Sequence, residues 1–317
     1  MKVLVTGGAG FIGSHLADRL LSGGHEVVIL DDLSTGHVGH LNPAARFYQM
    51  DIQSPWLDEL FKIERPEAVL HEAAQASVRR SVEDPGFDAS VNVLGTVTLL
   101  QASVRHGVRR FLFASTGGAL YGDADVIPTP EDYPTLPVSP YGASKLAAEV
   151  YLRTFHALHG LSYAALRYAN VYGPRQDPHG EAGVVAIFAQ RLLNNETARI
   201  NGDGKQTRDF IYVGDVAEAN ARALTSDVVG SFNVGTGVET DINAIFQGLK
   251  RLSGNNQPEV HGPALPGEQR RSVVDARKIQ KVMGWRPSTS LEAGLDATVR
   301  YFRAASKPPA VTPAPPA

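Results

Sequence analysis

Short apolar runs alternate with helix-periodic stretches along the first half of the chain. The runs Lys2–Thr6, Val27–Leu30, Phe47–Met50, Ala68–His71, Arg110–Ala114 and Tyr163–Tyr168 predict strands, and the first of them are apolar almost throughout. Continuous apolar runs are what strands buried on both faces require. Between them, Ile12–Ser22, Trp56–Glu64, Phe87–His106 and Tyr141–His159 carry helical spacing. This alternation predicts right-handed crossovers and an α/β fold, a doubly wound parallel sheet with helices on both faces.

After Tyr172 the texture changes. Elements shorten, and turn pairs such as Gly173-Pro174, Asn201-Gly202 and Asp203-Gly204 multiply. The expected organisation is a first unit over residues 1–172, a smaller mixed α/β substrate-binding lobe over 173–305, and a disordered Pro/Ala-rich tail over 306–317. Within the second region, Ala217–Leu224 and Asn233–Gly235 are candidates to rejoin the sheet.

Composition narrows the chemistry. The 317 residues are 43% hydrophobic with a net charge of −3, which gives no general pull toward nucleic acid or anionic lipid. No window approaches the ~20 apolar residues of a membrane span. The start, MKVLVTGGAGF, breaks into glycines too early for a secretory leader, so a cytoplasmic protein is expected. There is no cysteine, hence no thiolate nucleophile or thiolate metal site. The histidines show no metal spacing: His156 and His159 share a helix face and His37 and His40 a loop, with no carboxylate pattern joining them. A catalyst here works with Tyr, Lys, hydroxyls or carboxylates, or borrows a cofactor.

The first strand runs into Thr6-Gly7-Gly8-Ala9-Gly10-Phe11-Ile12-Gly13, and a helix follows. Gly7, Gly10 and Gly13 at this spacing let backbone approach a pyrophosphate at a helix N-terminus. The strand–turn–helix context is what lifts the motif above a chance match. The next strand ends at Asp31-Asp32, where a carboxylate accepts from ribose hydroxyls and repels a 2′-phosphate, so NAD is favoured over NADP. Asp51 and Ile52 follow the third strand and suit the adenine. Ala73, Ala74 and Gln75 follow the fourth, where small residues let backbone pass close to a cofactor. His71, at that strand's end, reads as a packed, hydrogen-bonded residue.

Tyr141 and Lys145 stand at i, i+4 on one helix face, begun by Ser139-Pro140. Alone the pair is commonplace; it gains meaning after a complete dinucleotide half-site and the hydroxyl-rich strand end Ser115-Thr116. TGGAGFIG, Ser115-Thr116 and the Tyr-Gly-Ala-Ser-Lys run resemble the extended short-chain dehydrogenase/reductase family, with its Rossmann-type sheet. DDLSTG, HEAAQASV, STGGALYG, SPYGASKLAAE, RYANVYGPRQDP, GDGKQTRDFIYVGDVA and PGEQRRSVVD resemble its UDP-glucose (UDP-galactose) 4-epimerases, over roughly residues 1–302.

The resemblance implies an isomerase that inverts carbon 4 of a UDP-sugar by transient oxidation with NAD. Tyr141 would be the base, with Lys145 and the nicotinamide charge favouring its phenolate. Thr116 or Ser115 would bond the sugar oxygen. Asn92 would anchor the sheet end near the nicotinamide, unless it is an ordinary helix-interior amide, and Tyr168 would lie near the cofactor. Asn170, Arg208, Arg175, Val184 and Arg271 would serve the nucleotide sugar, Arg208 being the strongest candidate for the diphosphate. The family's arginine before Pro-Gly is Leu265 here, which leaves Arg270 or Arg271 to substitute. Ser272 would gate the sugar's carbon 2 pocket, with room for the N-acetylated pair. Leu94, Val97 and Leu100 on one helix, and Leu146, Val150 and Leu158 on the next, would pair with a second copy in a homodimer. Alternatives are a UDP-glucuronate 4-epimerase, decarboxylase or dehydratase of the same family, or a non-catalytic NAD-binding relative. The dehydratases' Asp-Glu pair is replaced by Gly117-Gly118, which counts against elimination.

Overall fold

The apolar runs of the first half become adjacent strands of one parallel sheet. The protein is described by a computed structural model that covers residues 1–179, 183–264 and 269–305. The expected tail and the Leu265 substitution lie outside the described residues. In chain order the first elements are β1 (Lys2–Thr6), α1 (Phe11–Ser22), β2 (Glu26–Asp31), β3 (Arg46–Gln49), α2 (Leu57–Glu64) and β4 (Ala68–His71). Next come α3 (Val78–Glu83), α4 (Pro85–Ala89), a turn of π-helix (Ser90–Leu94), α5 (Gly95–Arg105), β5 (Arg110–Thr116), α6 (Pro140–His159) and β6 (Ser162–Tyr168). The remainder is β7 (Asn170–Tyr172), α7 (Val184–Leu193), β8 (Arg199–Asn201), β9 (Thr207–Arg208), β10 (Phe210–Tyr212), α8 (Val213–Thr225) and β11 (Gly230–Val234). It closes with β12 (Thr240–Asp241), α9 (Ile242–Ser253), β13 (Val260–Gly262), β14 (Arg271–Ser272), α10 (Arg277–Met283) and α11 (Leu291–Ala305).

The main sheet has 7 strands in the order β11-β6-β5-β4-β1-β2-β3. Every pairing within it is parallel. After β3 the chain crosses to the far side of β1, so the strand order reverses between β1 and β4. Ligands of such sheets bind outside the strands' carboxyl ends at that reversal.

Two apolar cores sandwich the sheet. Leu16, Leu20, Val216, Ala219 and Ala223 bring α1 and α8 onto one face. Leu60, Phe61, Leu99, Ala148 and Leu152 bring α2, α5 and α6 onto the other. A third core, with Phe188, Ile245, Phe246, Leu295 and Phe302, joins α7, α9 and α11 in the smaller lobe. Asn233 lies in β11, the seventh strand, whereas Ala217–Leu224 returns to the sheet as helix α8 rather than as a strand. The stretch Phe87–His106, expected as one helix, is divided by the π-turn around Asn92.

The apolar stripes on α5 and α6 divide as well. Leu94, Val150 and Leu158 are exposed, while Leu100 is fully buried in the core beneath the sheet and so cannot face a partner. No described helix is long and apolar enough to cross a membrane.

Candidate functional site

The glycine loop is shaped by close backbone approach. Gly7 has φ +68°, and a Cβ there would lie 2.6 Å from the Ala73 nitrogen; one at Gly13 would collide with the Gly7 carbonyl oxygen. The loop therefore presses against the end of β4, with Phe11 and Ile12 opening α1. That helix has Gly10 at its N-cap, no side-chain cap and no acidic residue in its first turn. Its first N–H groups are left for an anion, which fits a pyrophosphate.

Asp31 is nearly enclosed. Its Oδ2 accepts from the Ala9 N–H at 2.9 Å and its Oδ1 from the Leu33 N–H at 2.8 Å. It first shapes the loop, with a lone pair left on each oxygen for ribose hydroxyls. Burial raises its pKa, against the pull of those two N–H groups. Asp32 is exposed and accepts from the backbone and hydroxyl of Ser34. Asp51 is exposed and caps Gln53, whereas Ile52 is buried under Gly95.

The segment after β4 is latched by Asn92, 2% exposed. Its Oδ1 accepts from the Gln75 N–H, and its Nδ2 donates to the Gln75 carbonyl, each at 2.9 Å. The same Nδ2 reaches Asp88 and Ser144. Gln75 is itself buried and donates to Asp88, so its side chain is structural. Ala73 and Ala74 stand at the crevice, partly exposed. A π-turn that aims a side chain at a ligand crevice is a frequent device.

Tyr141 and Lys145 leave the first turns of α6, which Pro140 opens and the Ser139 hydroxyl caps. Lys145 is 3% exposed; its Nζ donates to the Ala114 carbonyl at 2.9 Å and lies 5.9 Å from the Tyr141 ring centre. Burial pushes Lys145 down to about 8, resisted by the carboxylates of Glu72 and Asp88. Tyr141 runs against expectation. Burial, then Asp88 and Glu72, hold its phenol well above the ordinary value of 10.0, so Lys145 by itself does not make a phenolate.

Thr116 and Ser115 part company. Adjacent strand residues point to opposite faces. Ser115, 4% exposed, donates to Glu149 Oε1 at 2.5 Å, inside a buried network with Arg167 and Ser231. Its hydroxyl is thus withdrawn from the crevice. Thr116 Oγ1 stays at the strand end and accepts from the Ala119 N–H.

Gly118 marks the sugar side. A Cβ added to it would lie 3.8 Å from Ser272 Oγ, 3.9 Å from Asn170 Oδ1 and 3.9 Å from Thr116 Oγ1. Residues from three chain segments thus converge around Gly118. At Gly117 an added Cβ would meet a Val274 methyl at 2.6 Å, so a side chain there requires Val274 to shift. Arg208 donates to the Thr207 carbonyl on β9, beside Ser272. Val184 begins α7 and packs on the third core. Arg271 is paired with Glu239 through two 2.7 Å bonds, and Arg270 with Asp203. The Arg175 guanidinium binds Asp18 on α1 at 2.7 Å and ties a loop to that helix.

His71 is buried between Thr6 and Thr96 and pushed down to about 3 by burial, a neutral packed residue as expected. Among the described residues no group of three or more His, Cys, Asp or Glu could hold a metal. Sequence reasoning missed Glu72, Asp88 and Asn220. Glu72 accepts from the Tyr168 hydroxyl at 2.9 Å, and Asn220 donates to that hydroxyl at 2.8 Å. Only Glu72's place in the run between His71 and Ala73 could have drawn attention to it.

Comparison with known proteins gives a consistent answer. Residues 3–235 match the NAD dependent epimerase/dehydratase family. The UDP-glucose 4-epimerase of Mycolicibacterium smegmatis is 48% identical over 310 residues, 96% of this chain and 99% of that one. Among solved structures, the Thermotoga maritima UDP-glucose 4-epimerase with UDP-glucose superposes with a TM-score of 0.95 at 48% identity, covering 97% of this chain and 100% of that one. The Thermus thermophilus UDP-glucose 4-epimerase in complex with NAD gives 0.92 at 46% identity, covering 96% and 100%.

Proposed function

The chain belongs to the NAD-dependent epimerase/dehydratase family, and from that premise we propose that it interconverts UDP-glucose and UDP-galactose by NAD-dependent epimerisation at carbon 4. The observation that carries this reading is the convergence on one crevice. An uncapped helix N-terminus and a glycine loop pressed on β4 suit the dinucleotide, while Thr116 meets Asn170 and Ser272 around Gly118, and Lys145, beside Tyr141, is bonded to the Ala114 carbonyl of the same strand as Thr116.

Tyr141 takes the proton of the sugar 4-hydroxyl and later returns one, which general base and acid catalysis requires of a single group here. Lys145 holds the ribose and adds positive charge beside the phenol. NAD, when bound, would supply the hydride acceptor for carbon 4 and a positive charge that favours the phenolate. Thr116 donates to the sugar oxygen as charge develops. Gly117 and Gly118 offer no acid or base for loss of water. Arg208 and Arg271 meet the diphosphate, Arg271 by exchanging Glu239 for phosphate. The small Ser272 leaves space for an N-acetyl group, so UDP-N-acetylglucosamine and UDP-N-acetylgalactosamine belong to the proposed substrate range. A homodimer through the exposed residues Leu94, Val150 and Leu158 completes the proposal, supported by their shared exposure on α6 and the neighbouring π-turn.

The test is incubation with UDP-galactose deuterated at carbon 4 and no added NAD. UDP-glucose of unchanged mass, still carrying the label at carbon 4, is expected. Loss of water or of label to solvent would refute the reading. Light scattering at micromolar protein is expected to give twice the chain mass; a monomer mass would remove the dimer alone.

A further inference from the structure

Across the strand ends from Tyr141 and Lys145 stands a carboxyl that the reaction above does not use. Glu72 continues β4, its N–H bonded to the Thr6 carbonyl. Period-two alternation puts it on the same face as Ala68 and Leu70, which pack in the core shared by α1 and α8. Tyr141 and Lys145 come from the opposite face, on α6. Glu72 and Tyr168 therefore form one wall of the crevice and the Tyr141–Lys145 pair the other.

One oxygen of Glu72 is held. Tyr168 donates to its Oε1, and Asn220 donates to Tyr168 in turn, so the phenol has both a donor and an acceptor role filled. Desolvation pushes the Glu72 carboxyl up to about 7, while the Tyr168 hydrogen bond and the Lys145 charge pull it down. The influence is mutual, since Glu72 raises Tyr141, Lys145 and Tyr168. The groups facing it are Tyr141 and Lys145 on α6 and Tyr168 on β6, with His71 neutral beside it, while Asp88 on α4 acts on the same Tyr141 and Lys145. A glutamine would make the same hydrogen bond from Tyr168. What Glu72 adds is charge.

We propose that Glu72 is a positioning residue whose carboxylate, held by Tyr168 and Asn220 on the α8 side of the crevice, favours retention of the oxidised, cationic nicotinamide over the neutral reduced form. The inference rests on the NAD reading above. A negative charge in a poorly solvated crevice attracts a cationic ring and is indifferent to a neutral one. Between catalytic cycles the enzyme must return to the oxidised cofactor, because only that form can accept hydride from the next sugar. A carboxylate at this wall biases the resting state that way without touching the reacting atoms.

The test compares purified wild type, Glu72→Gln and Glu72→Asp, each with its bound cofactor. Each is equilibrated with UDP-galactose, and the extracted nicotinamide is resolved into oxidised and reduced forms. Well above the Glu72 midpoint, Glu72→Gln is expected to shift the oxidised-to-reduced ratio about tenfold toward the reduced form, the order of one screened charge nearby. Well below it, the two proteins are expected to agree, because the wild-type carboxyl is then protonated. Glu72→Asp is expected to restore the wild-type direction. Equal ratios in wild type and Glu72→Gln at both pH values would overturn the inference and leave the epimerase reading standing. Wild-type protein without any NAD would overturn both. Should Glu72→Gln fold poorly, Tyr168→Phe serves instead. Loss of its hydrogen bond is expected to move the midpoint of the ratio's pH dependence upward, and an unmoved midpoint counts against the proposal.

Discussion

The two sides of the crevice are built by different physics. On the cofactor side the determinants are backbone approach and buried hydrogen bonds: Gly7 against Ala73, Asp31 on the loop, and Asn92 on both polar groups of Gln75. On the sugar side the charges are already engaged with one another. Arg270 faces Asp203 and Arg271 faces Glu239, all with substantial side-chain exposure. Exposed pairs of that kind are weak and exchange readily. One side is held by buried bonds and close backbone contact, and the other by exposed ion pairs.

The sharpest test of this contrast is Tyr141→Phe. It removes the only proton acceptor proposed for the reaction, and turnover is expected to fall about 10³- to 10⁴-fold with the melting temperature and NAD content little changed. Rates near wild type would break the assignment. Thr116→Val keeps shape and deletes one donor at the sugar, with an expected loss of about 10²-fold in kcat. Ser115→Ala is its control. Turnover is expected to survive while stability drops by about 2 kcal/mol, from loss of a buried bond to Glu149. Reversal of that ranking would return the role to Ser115.

Ser272→Tyr adds bulk beside Thr116 and Asn170, and is expected to suppress turnover of N-acetylated sugars about tenfold while largely sparing UDP-galactose. Equal losses for both would mean that Ser272 does not sort substrates. The smallest effect is expected at Glu239→Gln. If Arg271 leaves Glu239 for the diphosphate, removing the competing charge is expected to lower KM up to about threefold with kcat unchanged. An unaltered KM would make Arg271 a surface ion pair and nothing more.

The asymmetry also explains what could be read in the sequence. The strands β1, β2, β4 and β5 are legible because burial on both faces leaves little but apolar residues. The glycine loop is legible because tight backbone contact tolerates no side chain. Where function depends on which way one residue faces, the linear text is ambiguous. Ser115-Thr116 reads as a pair of equivalent hydroxyls, and only the pleat separates them. Arg175 reads as an unpartnered loop cation, and its partner Asp18 lies 157 positions away in the chain. Glu72 is silent for the same reason, because its partner Tyr168 lies 96 residues downstream. The Tyr141 phenol shows the limit from another side. Motif logic supplied its cation but not the two carboxylates and the desolvation that outweigh it.

The chain leaves the main sheet after β6 and comes back to it with α8 and β11. The molecule is therefore not divisible at the point where its texture changes. A fragment ending at residue 172 would uncover the full hydrogen-bonding edge of β6 and strip the apolar flank of α1 that Val216, Ala219 and Ala223 cover. Exposed edges and flanks of that kind recruit other chains. The nucleotide-binding half can be drawn alone on paper, yet as a polypeptide it would carry that edge and that flank uncovered, and any shuffling of sugar lobes between relatives would have to swap two separate stretches, one before α8 and β11 and one after them.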